Sequence, residues 1–313
     1  MSALKIDYVH RDGIDDERWN QLIASSGYET VYAYTWYLDA CADHWGALIT
    51  GDYQWVMPLA FRRKMGVRYL YQPRFCQQLG VYSERDVDGA TLRSFMLEMK
   101  KYFKLGSYAL NEGNRIEDDP GVVVTDHMNY TLHLLPAYEA LSGRYTTNCR
   151  RNVRKAADSG LVFSDRIPVE ELVLLKREHD HVLQSGSHYK HLTNMFGGLV
   201  ERGRVKSYGV RKDGVLYAGV LVAYCMKRMH YLLSVSSQAG RENHGMFLVI
   251  DHIIRRHAGN PVTLDFEGSN IPTIARFFRG FGAKPVTYHR ITLGGTMVRR
   301  LQRIMNSRRH GKK

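Results

Sequence analysis

Residues 230–283 read HYLLSVSSQAGRENHGMFLVIDHIIRRHAGNPVTLDFEGSNIPTIARFFRGFGA. An apolar run from Tyr231 to Val235 predicts a strand. A short polar turn follows. Arg241, Gly245 and Met246 then open a helix whose apolar side carries Phe247, Leu248, Ile250, Ile253 and Ile254. A Gly259-Asn260-Pro261 break leads into a second strand, Val262 to Phe266, and a second helix ends at Gly282. Strand, glycine-bearing turn, helix, strand and helix is an α/β arrangement. The start of the first helix offers N–H groups without intrahelical partners and the positive end of a dipole. Both suit a pyrophosphate or a carboxylate. Gly245 at that point predicts a close approach of backbone to ligand.

The segments before this stretch follow the same plan twice. In the second half, helices over Arg150 to Ala157 and Val169 to Leu183 precede a hairpin, Val205 to Val210 and Val215 to Ala223, turning at Asp213-Gly214. In the first half, a strand from Leu4 and helices over Asp15 to Ser25 and Trp36 to Ala42 precede a hairpin around Gly51-Asp52. Strands over Val67 to Gln72 and Cys76 to Tyr82 and a long helix, Glu84 to Phe103, then lead to a short strand at Tyr108 to Leu110. Even the short strands end alike, in Leu110-Asn111-Glu112-Gly113-Asn114 and Leu264-Asp265-Phe266-Glu267-Gly268-Ser269-Asn270. This repeat predicts two similar domains in tandem. We place them at 1–135 and 136–295, meeting near Pro136, with a basic tail over 296–313.

Composition supports a folded chain: 313 residues, 44% hydrophobic and 24% charged. No stretch approaches the ~18 apolar residues of a membrane span. The opening MSALKIDYVHRDG lacks the apolar core of a secretory signal, and the four cysteines form no Cys-x-x-Cys pair. The expectation is a cytoplasmic protein without a disulfide or zinc framework. His179 and His181 do not share a helical face, and His188 and His191 lack a carboxylate or Cys at ligand spacing, so no metal is expected. The net charge of +13 suits an anionic partner.

Part of that charge is concentrated in residues 145–161, YTTNCRRNVRKAADSGL. Thr146 or Thr147 can cap a helix in which Arg150 and Arg154 share one face and Arg151 and Lys155 form the adjoining row. Gly160 ends it. Four cations on about two turns with no interleaved acid repel one another, and an anion would relieve that repulsion.

With the two runs in hand, the chain resembles the GNAT acyltransferase fold and, through Arg151, Arg154, Ala156, Gly160, Gly245, the Asp265 to Asn270 run and Gly282, the Fem family. That family comprises aminoacyl-tRNA-dependent peptidyltransferases of cell-wall synthesis and their FemAB-like relatives. Arg241-Glu242-Asn243-His244-Gly245-Met246 differs from the usual GNAT signature by one extra residue before the glycine. The resemblance implies an α/β (α+β) fold of two tandem GNAT-like domains, each a central mixed sheet flanked by helices. It implies transfer of an acyl or aminoacyl group from acyl-CoA or aminoacyl-tRNA to an amine acceptor, such as a cell-wall precursor. Ser234, Ser236, Arg241, His244, Gly245, Met246, Asn270 and Phe278 are then candidates for the donor site. Arg150, Arg151 and Arg154 are candidates to hold a phosphate-bearing acceptor. Glu267, at the carboxyl end of a predicted strand, is the candidate base or ammonium anchor, and Tyr231 a candidate acid. The alternative is a binding module for nucleic acid or a membrane surface, without catalysis.

From Arg299 to Lys313 there are seven Lys/Arg and no acid, and Met297, Leu301, Ile304 and Met305 fall on one helical face. That pattern suits a membrane surface, tRNA or a partner protein.

Overall fold

The computed structural model describes residues 4–116, 121–180, 184–268 and 270–295. The expectations for the tail, for His181 and for Ser269 lie outside the described residues. Two compact units emerge. The first comprises the described residues up to His127 and from Thr287 onward; the second runs from Met128 to Val286. The sequence places the boundaries at 135/136 and 295/296 instead. Both structural boundaries fall inside strands, and a composition-based reading has no signal there.

The first unit contains β1 (Ile6–His10), α1 (Asp16–Ser25), α2 (Thr35–Cys41), β2 (His44–Thr50), β3 (Trp55–Lys64), β4 (Val67–Leu70), α3 (Gly89–Tyr102) and β5 (Gly106–Ala109). Its strand order is β1-β2-β3-β4-β5, followed by β12 (Lys284–Leu293), whose Arg290 to Leu293 pair with β5. Asp15 caps α1 through the amides of Glu17 and Arg18, and Trp19, Leu22 and Ile23 form its buried face. Residues 76–82, expected to be a strand, make only isolated bridges at Leu79 and Tyr82.

The second unit opens in β6 (Val122–His133), which begins in the first. It continues through α4 (Tyr138–Ser142), α5 (Thr147–Asp158), β7 (Val162–Ser164), α6 (Val169–His179), α7 (Gly186–Glu201), β8 (Val205–Lys212), β9 (Val215–Tyr224), β10 (Arg228–Ser236), α8 (Gln238–Glu242), α9 (Gly245–His257), β11 (Thr263–Asp265) and α10 (Pro272–Gly280). Strand order is β6-β11-β10-β9-β8-β7, with β10 and β11 parallel. Neighbouring residues of β9 show that helices cover both faces. A Cβ on Gly219 would press on Leu172 of α6, whereas Ala218 lies against Gly245 of α9. Successive strand residues point to opposite faces, so α6 and α9 lie on opposite sides. The α9 side holds a core with Leu248, Val249, Ile250, Ile253 and Ile254 of α9 and Cys149 and Ala156 of α5. Arg255 and Arg256 in the last turn of α9 complement its dipole.

Three differences from the sequence expectations have local causes. The helix expected from Arg241 is two helices, because His244 adopts a left-handed conformation (φ 54°) between α8 and α9. Thr35 lies inside α2 and is not its cap; its hydroxyl accepts from Asn20 instead (2.9 Å). The sequence predicts only a short helix over Asn194 to Arg202, whereas α7 runs over Gly186–Glu201 behind its cap Ser185, although it carries Gly197 and Gly198. Burial of Tyr189, Leu192, Met195, Phe196 and Leu199 outweighs the low helix propensity of glycine.

Candidate functional site

Strands β10 and β11 pair over only three residues, Arg228 to His230 against Thr263 to Asp265. Beyond His230, β10 continues to Ser236 while β11 stops. The edge of Tyr231 to Ser236 that would face β11 has no strand partner among the described residues. On the other edge, the β9 register slips between Tyr231 and Leu233, a bulge that leaves Leu232 unpaired and re-aims the strand. The result is an open wedge at the carboxyl ends of two parallel strands, where ligands of such sheets bind.

The matching place in the first unit is closed. The side chain of Asn114 accepts from the Val81 amide (2.6 Å) and donates to the Val81 carbonyl (3.0 Å), and Asn111 donates to the same carbonyl (3.1 Å). Asp88 also caps α3 through the Thr91 amide (2.7 Å), which places a carboxylate at that helix start. The N-terminus of α9 differs. His244 makes no side-chain cap hydrogen bond, so no carboxylate or hydroxyl of the N-cap offsets the positive end of α9.

Beside it lies the basic face of α5, which packs against α9. Thr146 caps α5 through the Cys149 amide (3.3 Å). Cys149, Asn152 and Ala156 are its buried side, leaving Arg150, Arg151, Arg154 and Lys155 exposed. Burial first, and then the charges of Lys155 and Arg151, lower the pKa of the His244 imidazole. So the row that meets the α9 N-terminus is Arg151–Lys155. Lys155 was outside the expected set, although its i, i+4 spacing from Arg151 is legible in the sequence. Arg150 donates to the Gly143 carbonyl (3.3 Å), and Arg151 to Asn148 (2.7 Å).

The other candidates divide by position. Arg241 is exposed and donates to the Ser236 carbonyl (2.7 Å), tying α8 to the end of β10. Ser234 is exposed, and Ser236 and Met246 are half-buried. Gly245 is buried, and a Cβ there would meet Val210 at 3.1 Å and Ala218 at 3.3 Å. Its glycine therefore has a packing reason, the close seating of α9 on β8 and β9. Phe278 belongs to the core: its ring stacks on Phe266 (4.7 Å) and meets Tyr231 edge-on (5.9 Å). Tyr231 is only 7% exposed. Burial raises its pKa, against a hydrogen bond with Ser234, so the phenol keeps its proton.

Glu267 follows β11 in a left-handed conformation (φ 57°), which non-glycine residues seldom adopt. Its amide donates to Asp265 (2.8 Å). Asp265, 1% exposed, also accepts from Arg228 (2.9 Å) and Asn129 (3.0 Å). A carbon on the next residue, Gly268, would overlap the Met128 carbonyl. Asn270 accepts from the Met128 amide (3.1 Å). These contacts fix the backbone over 265–268 and at Asn270, and Arg228 and Asn129 had no signature in the sequence.

At the first turn of α9 a groove of about 750 Å³ opens between α5, α9 and α10, lined by Phe247, Phe277, Arg276 and Arg279 among others. Among the described residues no group of three His, Cys, Asp or Glu is arranged to hold a metal. No helix among them is long and apolar enough to cross a membrane.

Comparison with known proteins agrees with this geometry. Residues 143–272 match the acetyltransferase (GNAT) domain family. No curated protein matches the chain. Among solved structures, FemX covers 90% of this chain and 96% of its own, at 13% identity and a TM-score of 0.62. L-PGS from Bacillus licheniformis covers 96% and 97% at 11% identity and 0.54. A tandem GNAT protein from the clavulanic acid biosynthesis pathway covers 92% and 98% at 14% identity and 0.50. At such identities the likeness is one of fold. The second half carries a GNAT-type domain. The chain as a whole shares the fold of FemX and of the tandem GNAT protein.

Proposed function

We propose that this chain is a FemAB-like N-acyltransferase that binds a phosphate-linked donor in its second unit and transfers the acyl or aminoacyl group to an amine. The observation that carries this reading is the meeting of two cationic features. The Arg151–Lys155 row stands beside the start of α9, which has no side-chain cap, and both cations of that row lower the pKa of His244. A diphosphate or phosphodiester placed there gains charge-assisted hydrogen bonds and a favourable dipole. The GNAT domain match favours acyl-CoA as donor, and aminoacyl-tRNA is the donor that the Fem resemblance of the sequence suggests. An amine of a cell-wall precursor is the acceptor that the Fem resemblance suggests. Arg150 and Arg154, on the neighbouring face of α5, are candidates to hold phosphate of that acceptor.

The chemistry follows from the wedge. The donor carbonyl lies along the open edge of β10, where main-chain N–H groups between Tyr231 and Ser236 stabilise the tetrahedral oxyanion. A neutral amine attacks, and Glu267 takes its proton or anchors the incoming ammonium. Tyr231, held protonated, can donate to the departing oxygen or sulfur. Binding and orientation supply much of the acceleration in such a reaction.

The test is product formation. Purified protein is given labelled acyl-CoA or aminoacyl-tRNA with amine acceptors, and the amide is detected by mass spectrometry. Glu267→Gln is expected to lower turnover about 100-fold with little change in melting temperature. Full turnover in that variant removes Glu267 from the site.

A further inference from the structure

The β3–β4 and β8–β9 hairpins end in matching tips, Arg63-Lys64-Met65-Gly66-Val67 and Arg211-Lys212-Asp213-Gly214-Val215. Each closes over two residues, with Lys64 paired to Val67 and Lys212 to Val215. Both central residues stand at positive φ, 50° and 78° in the first tip and 51° and 80° in the second. Asp-Gly is a usual sequence for that geometry, because the aspartate tolerates it and bonds locally. A methionine has neither advantage, so the turn itself gives no reason for Met65. Its side chain is nevertheless held out in water, 94% exposed, beside Val67 at 50%.

The cations of the two tips differ too. In the second, Arg211 is paired with Glu171, and Lys212 donates to the Ser159 carbonyl (2.9 Å). In the first, residues 61–71 hold four Lys/Arg and no acid. Arg62 is paired with Asp43. The side chains of Arg63, Lys64 and Arg68 have no hydrogen bond or ion pair among the described residues. Arg63 and Arg68 stand directly opposite each other across the two strands, and like charges so placed repel. Arg68 is held there over the rings of Phe61 (5.9 Å) and Phe103 (6.0 Å). An anion between the two guanidinium groups relieves the repulsion, and their planar forks suit phosphate.

We propose that the β3–β4 tip seats on an anionic lipid surface, with Met65 and Val67 entering the headgroup boundary and Arg63, Lys64 and Arg68 meeting lipid phosphates. A nucleic acid would use the cations and leave the apolar tip in water. A protein partner of ordinary kind covers about 800 Å² on each side, far more than a hairpin tip offers. An anionic bilayer uses both features, since apolar side chains enter the boundary while the surface potential draws Lys and Arg to it. The flexible methionine side chain adapts to such a surface. The contact lies in the first unit and is independent of the transfer reaction.

Co-sedimentation of the full chain with vesicles tests the proposal, using phosphatidylcholine alone and phosphatidylcholine mixed with an equal part of phosphatidylglycerol. The mixed vesicles are expected to bind about tenfold or more tighter than the neutral ones, and Arg63→Gln/Arg68→Gln to lose about tenfold on them. Met65→Asn removes the apolar tip without adding charge and is expected to weaken binding about threefold or more. Asparagine accepts the left-handed turn, so that variant is expected to melt no lower than the unsubstituted chain, which keeps its result free of a folding defect. Equal binding by the unsubstituted chain and both variants overturns the proposal and moves the lipid contact to another basic segment. So does the absence of binding to the mixed vesicles. A loss in the arginine variant with none in Met65→Asn overturns the insertion of the tip. Binding of a DNA duplex that depends on Arg63 and Arg68 but not on Met65, without vesicle binding, replaces lipid by nucleic acid.

Discussion

The carboxylate of Asp265 accepts the backbone amide of Glu267 at 2.8 Å while Glu267 stands in the left-handed region at φ 57°. A buried aspartate thus shapes the turn that presents the candidate base. Arg228 and Asn129 hold that aspartate in turn. Asp265→Ala leaves the Arg228 charge buried without its partner and is expected to cost roughly 3–5 kcal/mol of stability, measured by urea unfolding. Asp265→Asn keeps an acceptor for the Glu267 amide and is expected to lose less. Equal losses in the two variants would separate the turn from the ion pair.

Two glycines close together in sequence differ in what they tolerate. A Cβ on Gly240 would overlap the Tyr217 carbonyl, a backbone atom that cannot swing aside, whereas one on Gly245 meets side chains at 3.1 and 3.3 Å. Gly240→Ala is expected to destabilise by about 2 kcal/mol or more, and Gly245→Ala by about 1 kcal/mol or less. Thermal denaturation of the two variants checks the order. Loss of donor binding in Gly245→Ala without loss of stability would return that glycine to the role expected from the sequence.

His244 reports on its neighbours. Lys155 and Arg151 add to burial in holding its pKa below the usual histidine value. Arg151→Ala/Lys155→Ala is expected to raise that pKa, and a bound anion to raise it too. The imidazole proton signals followed by NMR against pH measure both. A titration unchanged in the double variant would contradict the proximity of the α5 row to the α9 start.

Burial lowers the pKa of His230, His252 and His257 as well. Each stays neutral in the folded chain while the unfolded chain takes up protons below pH about 6.5. Their contribution to stability is therefore complete above that pH and is lost as the pH falls toward the folded values. Urea midpoints are expected to fall from pH 7 to pH 5. The fall is expected to be smaller in His257→Gln, which removes one such group.

Much of this was legible in the residues. The apolar run of β10, the apolar face of α9 and the Asn111 and Asp265 motifs indicated a tandem α/β fold, and spacing placed Arg151 beside Lys155 on one row. What escaped depends on contacts distant in sequence. β12 has no partner nearby in the chain; its pairing with β5 joins Arg290 to Ala109, and no periodicity announced it. The partners of Asp265 come from β6 and β10, 136 and 37 residues away. The paired motifs looked alike but do opposite things: Asn111 and Asn114 clamp Val81, while Asp265 turns to Arg228. One-dimensional similarity carries no sign of which wedge is open.

Donor binding tests the central claim most directly. Thermal shift of the purified chain against acetyl-CoA, longer acyl-CoAs and charged tRNA, repeated with Arg151→Glu/Lys155→Glu, puts the α5–α9 site to the question. Binding to the folded state alone raises the melting temperature by mass action. The account predicts a rise with at least one of these donors that vanishes in the charge-reversed protein. A rise of equal size in both proteins, or none with any donor well above micromolar concentration, would contradict it.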